Sequence, residues 1–436
     1  MFSVPFSNYQ KQLNKKTYVQ IQGKVTEVTG LIVKVEGLEA FVGEVCEIFI
    51  KSSEKVVLSE VVGFIEQTVL LMPLDDLDGI GPGCIVKPTG KKFQVEVSDH
   101  LLGKTLDGLG RPISIEMDVN GSFYDVNRSA PDPFKRRKIE NVITTGIKAI
   151  DGILTIGEGQ RVGIFAGSGV GKSTLLGMIA RYCEADVIVI GLVGERGREV
   201  REFIEKDLGE EGYKKSVVVC ATSDSPPLVR LKGAYVATAI AEYFRDQGKK
   251  VVLMMDSVTR VAMAQREIGL ATGEPPTTKG YTPSVFTTLP RLLERSGMSD
   301  KGSITAFYTV LVEGDDMNEP IADTVRGILD GHIVLSRKIA SENQYPAIDI
   351  QNSISRLMKE IVSEEHFQIA GTIKENLAIY SESKDLIDVG AYRKGSNALV
   401  DQAIQLNIPI KNFLKQRVEE PFTCEDTLDK MKALFI

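Results

Sequence analysis

The chain has 436 residues, of which 43% are apolar and 25% are charged, and its formal net charge is −7. This acidic balance argues against nucleic acid or an acidic membrane as a general partner, although local basic patches are compatible with it. No apolar run approaches the roughly 20 residues that a membrane-spanning helix needs, and the first residues lack the features of a signal peptide.

Residues 1–16 predict a short leader. Its apolar side chains fall three or four positions apart, on one face of a helix: Phe2, Phe6, Tyr9 and Leu13. A helix this short is not stable alone, so its apolar face must dock on this protein or on a partner. A frayed tail is the alternative, and the pattern fits it equally well.

A small β domain is predicted for residues 17–88. Short apolar runs alternate there with glycines and charged turns, a spacing typical of a closed β-barrel. A nucleic-acid-binding barrel is the alternative, but the exposed aromatics and basic grooves that it needs are sparse. Asp, Gly and Pro cluster in residues 74–88, which predicts the linker to the next domain. Further on, the basic loop 131–138 is predicted to be solvated charge.

The stretch 160–181 organises the rest of the chain. An apolar run, 162–165, predicts a buried strand, and a glycine-rich turn and a helix pattern follow it. Together these form a P-loop, in which backbone N–H groups and a helix N-terminus surround phosphate. Lys172 is predicted to neutralise the outer phosphates and Ser173 to bind Mg²⁺. The predicted nucleotide-binding residues of the loop are Ala166, which replaces the usual first glycine, Gly167, Ser168, Gly169, Val170, Gly171, Lys172, Ser173 and Thr174.

Apolar runs and helix patterns alternate after the P-loop. The predicted strands are 187–193, 217–222, 251–255, 304–312 and 332–335. The predicted helices are 198–208, 228–247, 258–268 and 321–329. This alternation predicts a doubly wound α/β core over residues 89–356, with its ligand at the carboxyl ends of parallel strands. Residues 357–436 are predicted to form a C-terminal helical domain.

Two acidic residues follow predicted strand ends. Asp256 comes directly after the strand 251–255, where it can hold Mg²⁺ or its water as a Walker B aspartate. Glu195 follows the strand 187–193 and is a candidate to orient and deprotonate the attacking water. A paired surface acid is the equally good alternative for Glu195.

Arg356 and Tyr345 complete the set of candidates. Arg356 lies in a polar segment after the last core strands, which predicts either a surface cation or an arginine finger that reaches a ring neighbour's γ-phosphate. Tyr345 precedes a proline, which predicts either a packing residue or an aromatic ring that stacks on adenine.

Seven segments give the chain a close resemblance to the catalytic ATPases of bacterial type III protein export, which are relatives of the F₁ ATP synthase β subunit. Within that group the chain is most similar to the flagellum-specific export ATPases. The segments are 106–112, 145–152, 157–173, 194–199, 273–281, 311–320 and 345–350. An alanine at position 166 is typical of this group.

The resemblance implies a role for each candidate residue, with ATP and Mg²⁺ as the ligands. Lys172 and Ser173 match the residues that bind phosphate and Mg²⁺, Asp256 the one that acts on Mg²⁺ through water, and Tyr345 the one that packs on the base. The implied catalytic residues are Glu195 as general base, Lys172, a trans-acting Arg356, and Arg196 beside the base.

The same resemblance implies a P-loop core of the RecA and F₁ type, an N-terminal β-barrel and a C-terminal helical domain, assembled as a homohexamer. It also implies three partners: a regulatory stator-like protein on the leader, the export gate, and substrate–chaperone complexes. Nucleic acid is not expected. Five scattered cysteines agree with a cytoplasmic protein, and the resemblance places it at the periphery of the inner membrane.

Two other classes of protein are left open. The first is a non-catalytic ring subunit like F₁ α, but that subunit lacks a glutamate at the position of Glu195, which favours catalysis here. The second is a nucleic-acid translocase of the Rho type, against which the acidic balance argues. Flagellar and injectisome ATPases share all the motifs above.

Overall fold

The structure is a computed structural model that describes residues 21–51, 53–113, 121–312, 314 and 316–435. The predicted leader, residues 1–16, lies outside the described residues. The chain divides into two compact units. The first holds the described residues up to Phe93 together with Leu270–Glu274, and the second holds Gln94–Gly269 and the described residues from Pro275 onward.

The first unit is a closed β-barrel, as the sequence predicts. Its strands are β1 Gly23–Thr29, β2 Ile32–Glu36, β3 Glu44–Phe49, β4 Val56–Ile65, β5 Thr68–Pro73 and β6 Ile85–Lys92. They follow the order β1-β2-β5-β4-β3-β6, and β6 pairs with β1 to close the barrel. Alternate apolar side chains fill the interior, among them Val33, Ile48 and Leu71.

The predicted linker 74–88 is wrong. This stretch joins β5 to β6 within the barrel and includes the start of β6. Turn residues mark a chain reversal inside a barrel as readily as a boundary between domains, which is why composition alone misplaces the linker.

A parallel sheet forms the centre of the second unit. The strands of this unit are β7 Gln94–Val97, β8 Lys104–Asp107, β9 Ser122–Asp125, β10 Arg161–Ala166, β11 Val187–Val193, β12 Ser216–Ala221, β13 Lys250–Asp256, β14 Gly297–Met298, β15 Ser303–Leu311, β16 Gly331–Leu335 and β17 Ile348–Ser355. The order in the main sheet is β17-β16-β10-β15-β13-β11-β12-β8, with β14 paired to β15. From β16 to β8 these neighbours are parallel, and β17 is antiparallel to β16. The predicted α/β core is confirmed.

Helices cover this sheet and continue beyond it. Their bounds are Lys148–Ile153, Lys172–Tyr182, Gly197–Glu202, Phe203–Leu208 (a wider, π-type turn), Gly209–Lys214, Pro227–Asp246, Val258–Ala271, Pro283–Leu293, Pro320–Ile328, Arg337–Ser341, Met358–Ile361, Glu364–Asp388, Ala398–Leu414 and Cys424–Lys432, with single 3₁₀ turns at Asp99–Leu101, Thr278–Gly280 and Ala433–Phe435. The strands they cover are buried on both faces, as the continuous apolar runs predict: all seven residues of β11 are buried.

The C-terminal helices begin at residues that cap them. The side chains of Ser363, Asn397 and Thr423 each accept a hydrogen bond from the first turn of the helix that follows. The predicted C-terminal helical region is therefore present, and its helices Glu364–Asp388 and Ala398–Leu414 pack against each other. In the described part of the chain, no helix combines the length and apolar character that crossing a membrane requires.

The basic loop 131–138 differs from the prediction of solvated charge. Arg136 donates hydrogen bonds to the carbonyl oxygens of Glu294 (2.5 Å) and Ser296 (3.1 Å). Arg137 donates to the carbonyl oxygen of Ser299 at 3.0 Å. Both guanidinium groups therefore fix the loop to the backbone before β15, because a guanidinium offers several donors to unpaired carbonyls.

Candidate nucleotide site

The P-loop lies between β10 and the helix Lys172–Tyr182. Gly169 and Gly171 have φ angles of 78° and 87°, in the left-handed region that favours glycine. This curl turns backbone N–H groups toward the start of the helix, which adds its positive end to the same place. The predicted loop, including Ala166 as the last residue of β10, has the geometry of an anion-binding site.

Three charged side chains lie close together beside this loop. Lys172 begins the helix after the loop, Asp256 ends β13, and Glu195 follows β11. The Lys172 ammonium nitrogen lies 2.5 Å from Asp256 Oδ1 and 3.7 Å from Glu195 Oε1. The exposed fractions of these side chains are small: 13% for Lys172, 5% for Asp256 and 15% for Glu195. Strands β10, β13 and β11 are parallel members of one sheet, so their carboxyl ends lie along the same edge.

Asp256 is held in place by a residue that the sequence analysis missed. The Thr309 hydroxyl donates a hydrogen bond to Asp256 Oδ1 at 2.7 Å, from the neighbouring strand β15. A second hydrogen bond ties the chain after β13 to β15: the backbone N–H of Leu311 donates to the Thr259 hydroxyl oxygen at 2.9 Å. The apolar run 304–312 contains two threonines, Thr305 and Thr309; a buried hydroxyl needs a partner, but the sequence does not show which of the two faces Asp256.

The three groups shift each other's pKa. Burial alone would lower the pKa of Lys172, but the carboxylates of Asp256 and Glu195 outweigh it and raise that pKa. Burial raises the pKa of Glu195 to about 7; Lys172 opposes this shift, whereas Asp256 and Glu199 add to it. Lys172 is therefore charged, and Glu195 changes its protonation state near neutral pH.

Arg196 lies next to Glu195 in sequence, and it forms an ion pair with Glu199. Its side chain is 81% exposed, and its guanidinium lies 3.5 Å from Glu199. This contact is an exposed pair three residues apart on a helix start, which contributes little to stability. The structure therefore places Arg196 near the site without a contact to Lys172 or Asp256.

Tyr345 borders the P-loop. A Cβ built on Gly171 would lie 3.7 Å from the Tyr345 ring, so the ring faces the end of the loop. The residue is 44% exposed, and its free face is available to a flat ligand beside the phosphates. The predicted placement of an aromatic ring at the nucleotide site is consistent with this geometry.

Arg356 lies at the other end of the sheet. Its predecessor Ser355 pairs with Gly331, which in turn pairs with Val162 at the start of β10. Strand β10 has six residues, so its two ends are separated by roughly 17 Å at about 3.3 Å per residue. An arginine side chain at this place does not reach the P-loop of its own chain.

Two further arginines near the site carry no motif that the sequence analysis detected. The Arg337 guanidinium lies against the P-loop, since a Cβ built on Gly167 would be 2.7 Å from its Nη2. Arg260 packs its aliphatic stem against Gly194, and its buried Nε has no hydrogen-bond partner among the described residues. Each lies in a helix that follows a strand. Surface arginines also occur at such positions, so the sequence does not single these two out.

The residues at this edge fit a nucleoside triphosphate with Mg²⁺. The loop is open on the ligand side, because a Cβ on Gly169 would meet nothing within 4 Å. Ser173 is exposed at the start of the helix, and its hydroxyl, with the Asp256 carboxylate, supplies oxygen atoms of the kind that Mg²⁺ prefers. Lys172 adds the cation that phosphates require.

Comparison with known proteins agrees with this fold and site. Residues 146–355 match the nucleotide-binding domain of the ATP synthase alpha/beta family, and residues 25–90 match its β-barrel domain. Residues 362–433 match the C-terminal domain of the type III secretion ATPase EscN. The fold and the P-loop site thus define a nucleotide-binding protein of the ATP synthase alpha/beta class.

Individual relatives narrow the class to one family. The chain is 56% identical to a flagellum-specific ATP synthase of Bacillus subtilis (strain 168) over 94% of each chain. The assembled ATPase EscN from the type III secretion system of enteropathogenic E. coli has a TM-score of 0.90 and 46% identity, covering 95% of this chain and 100% of that one. EscN in complex with its central stalk EscO has a TM-score of 0.87 and 45% identity, with the same coverage. The chain belongs to the family of flagellum-specific and type III secretion ATPases.

Proposed function

We propose that this chain is a Mg²⁺-dependent ATPase of bacterial flagellar type III protein export, and that it works as a homohexameric ring. The observation that carries the proposal is the meeting of Lys172, Asp256 and Glu195 beside the P-loop. Phosphoryl transfer to water requires phosphate binding, charge neutralisation and a positioned base, and these three residues supply one group for each.

Lys172 changes partners when ATP binds. Its ammonium leaves Asp256 for the outer phosphate oxygens, and Asp256 then becomes free to orient water at the metal through the carboxylate that Thr309 fixes. Ser173 and Asp256 would hold Mg²⁺, which when bound would supply positive charge to the phosphoryl group that is transferred. Ser173 offers its hydroxyl to the metal, and Tyr345 packs on the base.

Glu195 accepts the proton of the attacking water. Its pKa of about 7 suits this role, because a base near neutral pKa is both partly ionised and basic enough to take the proton. Arg196 follows this base directly in sequence and is the further catalytic residue of the proposal; its guanidinium lies 3.5 Å from Glu199.

Arg356 supplies the second cation to a neighbouring subunit. It lies too far from the P-loop of its own chain, so a contribution to catalysis must come across an interface between two copies. The relative EscN has been solved as an assembled ATPase, which supports a ring for this chain. An interface of this kind is head-to-tail, and it closes into a ring when the rotation is right.

The cellular role follows from the family. A relative at 56% identity is a flagellum-specific ATP synthase, and we place this chain at the cytoplasmic side of the inner membrane, where the ring couples ATP hydrolysis to release, unfolding and export of substrates. We expect its partners to be a stator-like regulator on residues 1–16, a central stalk, the export gate and substrate–chaperone complexes. EscN binds a central stalk, EscO, in its solved complex.

The Glu195→Gln variant tests the mechanism. We expect turnover to fall by at least about 100-fold, because the base is lost, while ATP still binds through the unchanged P-loop. Steady-state ATPase assays and ATP binding by calorimetry measure the two effects. The matched control is Glu205→Gln, an exposed glutamate that pairs with Arg201. Unchanged turnover in Glu195→Gln would refute the assignment of the base.

An injectisome ATPase is the second candidate. It is favoured by the match of residues 362–433 to the C-terminal domain of EscN. Motility and secretion assays separate the two: the flagellar assignment predicts that the chain restores swimming to a strain that lacks its flagellar ATPase. Restored injectisome secretion without restored swimming would favour the second candidate.

A further inference from the structure

The segment 415–422 joins the two C-terminal helices Ala398–Leu414 and Cys424–Lys432, and it is attached to both parts of the core that carry the nucleotide site. On one side, the backbone N–H of Gln416 donates a hydrogen bond to the Tyr345 carbonyl oxygen at 2.9 Å. On the other side, the Val418 carbonyl oxygen accepts hydrogen bonds from Tyr182 Oη (2.9 Å) and Arg181 Nη2 (3.2 Å) at the end of the P-loop helix.

The Gln416 side chain anchors this segment. Its Oε1 accepts a hydrogen bond from the backbone N–H of Lys148 at 2.9 Å. Its Nε2 donates to the carbonyl oxygens of Gly146 and Glu420, both at 2.7 Å. The residue is 7% exposed, so these bonds form out of water, where an unpaired polar group is costly. Both amide hydrogens and one lone pair of the side chain are used.

The part of the core that receives Gln416 is itself fixed. The buried Asp151 carboxylate accepts hydrogen bonds from the backbone N–H groups of Thr145 and Gly146, each at 2.9 Å. Lys148 adds a second attachment, since its ammonium donates to the Lys415 carbonyl oxygen at 2.8 Å. The turn at residues 145–148 is therefore fixed. The Gln416 side chain attaches the backbone of the segment 415–422 to this turn.

We infer that Gln416 is a positioning residue for Tyr345. Its side chain fixes residue 416 on the turn at residues 145–148, and its backbone N–H then fixes the Tyr345 carbonyl, so that the aromatic ring stays beside Gly171. This inference rests on the proposed packing of Tyr345 on the base. It assigns the C-terminal segment a role in the affinity of the site for the base part of the nucleotide, separate from the phosphates.

Gln416→Met in the full chain is the test, because methionine keeps the length of the side chain and removes its polar atoms. We expect the dissociation constant for ATP to rise about tenfold, whereas that for inorganic tripolyphosphate changes less than about twofold. A loss of stability alone would affect both ligands alike. Gln416→Asn keeps an amide on a side chain that is one methylene shorter, so we expect a smaller rise for ATP from this variant, which remains measurable if Gln416→Met does not fold.

Tyr345→Ala and a control variant separate the possible results. Tyr345→Ala is expected to weaken ATP binding at least as much as Gln416→Met, and the double variant is expected to add little, because both act through one ring. Gln368→Met, an exposed glutamine on the first long C-terminal helix, is expected to change neither constant. If Tyr345→Ala weakens ATP binding and Gln416→Met does not, or if Gln416→Met weakens both ligands equally, the inference is overturned. If Tyr345→Ala changes neither, the proposed role of Tyr345 fails first.

Discussion

The phosphate end of the sheet and the junction with the C-terminal helices hold their residues in place by different forces. The phosphate end is the P-loop with Lys172, Asp256 and Glu195. There the Lys172 ammonium lies 2.5 Å from the Asp256 carboxylate and 3.7 Å from that of Glu195, and the pKa values of Lys172 and Glu195 are shifted as a result. At the junction, the contacts of Gln416 are hydrogen bonds between an uncharged side chain or N–H group and backbone atoms.

This difference suits the phosphate end to chemistry and the junction to the positioning of residues. Charges at close range exchange partners when an anion arrives, so the phosphate end is suited to bind and release phosphate. Hydrogen bonds to backbone atoms, formed out of water, fix one geometry, because each broken bond leaves a buried group unpaired. Variants at the two regions should therefore fail in different assays.

Lys172→Met should have the largest effect, and it concerns the phosphate end. Charge-assisted hydrogen bonds to phosphate are the strongest contacts that this site offers, so we expect ATP and inorganic tripolyphosphate to bind at least about 100-fold more weakly. Calorimetry with both ligands measures this. A variant that loses affinity for ATP but keeps it for tripolyphosphate would place Lys172 in the wrong region.

Lys148→Met should have a moderate effect, and it concerns the junction. Its ammonium donates to the Lys415 carbonyl oxygen and lies 4.8 Å from the Phe422 ring centre, so its loss removes a partly buried hydrogen bond and a cation–π contact. We expect the free energy of unfolding of the second unit to fall by about 1–3 kcal/mol, with tripolyphosphate binding unchanged.

Denaturant titration of Lys148→Met and of Lys411→Met provides the comparison. Lys411 forms a partly exposed pair with Glu342 at 2.7 Å, and removing such a pair typically costs less than about 1 kcal/mol. Equal stability losses in the two variants would show that the junction is no firmer than the surface.

Glu199→Gln should have the smallest effect, a shift in pH dependence. Glu195 acts as a base when it is a carboxylate, so turnover should rise with pH through about 7. Glu199 raises the pKa of Glu195, so removing its charge should lower that pKa and move the rise in turnover to lower pH. Turnover measured between pH 5.5 and 8.5, on the order of three units around neutrality, tests this, with Glu202→Gln as control. A shift to higher pH would contradict the account.

The sequence predicts which residues come together at the phosphate end, because they are close in sequence or directly follow strands. The P-loop, Glu195 and Asp256 each follow an apolar run, and parallel strands bring such ends together. The barrel and the C-terminal helices are also predicted correctly, from turn spacing and helix patterns.

The junction was not predictable in the same way. Gln416 contacts Gly146 and Lys148 across about 270 positions of chain, and no periodicity connects them. The charge run 131–138 predicts solvated arginines because it does not show which carbonyl oxygens lie nearby. Thr309 was missed for a similar reason, since its partner Asp256 lies on another strand.

The central claim is that one copy of the chain completes the site of the next through Arg356. The most direct measurement is the ATPase rate per subunit against protein concentration, for the wild type and for Arg356→Ala. The account predicts that the wild-type rate per subunit rises with concentration as rings assemble, and that Arg356→Ala loses this rise while it still binds ATP. A rate per subunit that depends on neither concentration nor Arg356 would mean that each chain has a self-sufficient site, and it would contradict the ring.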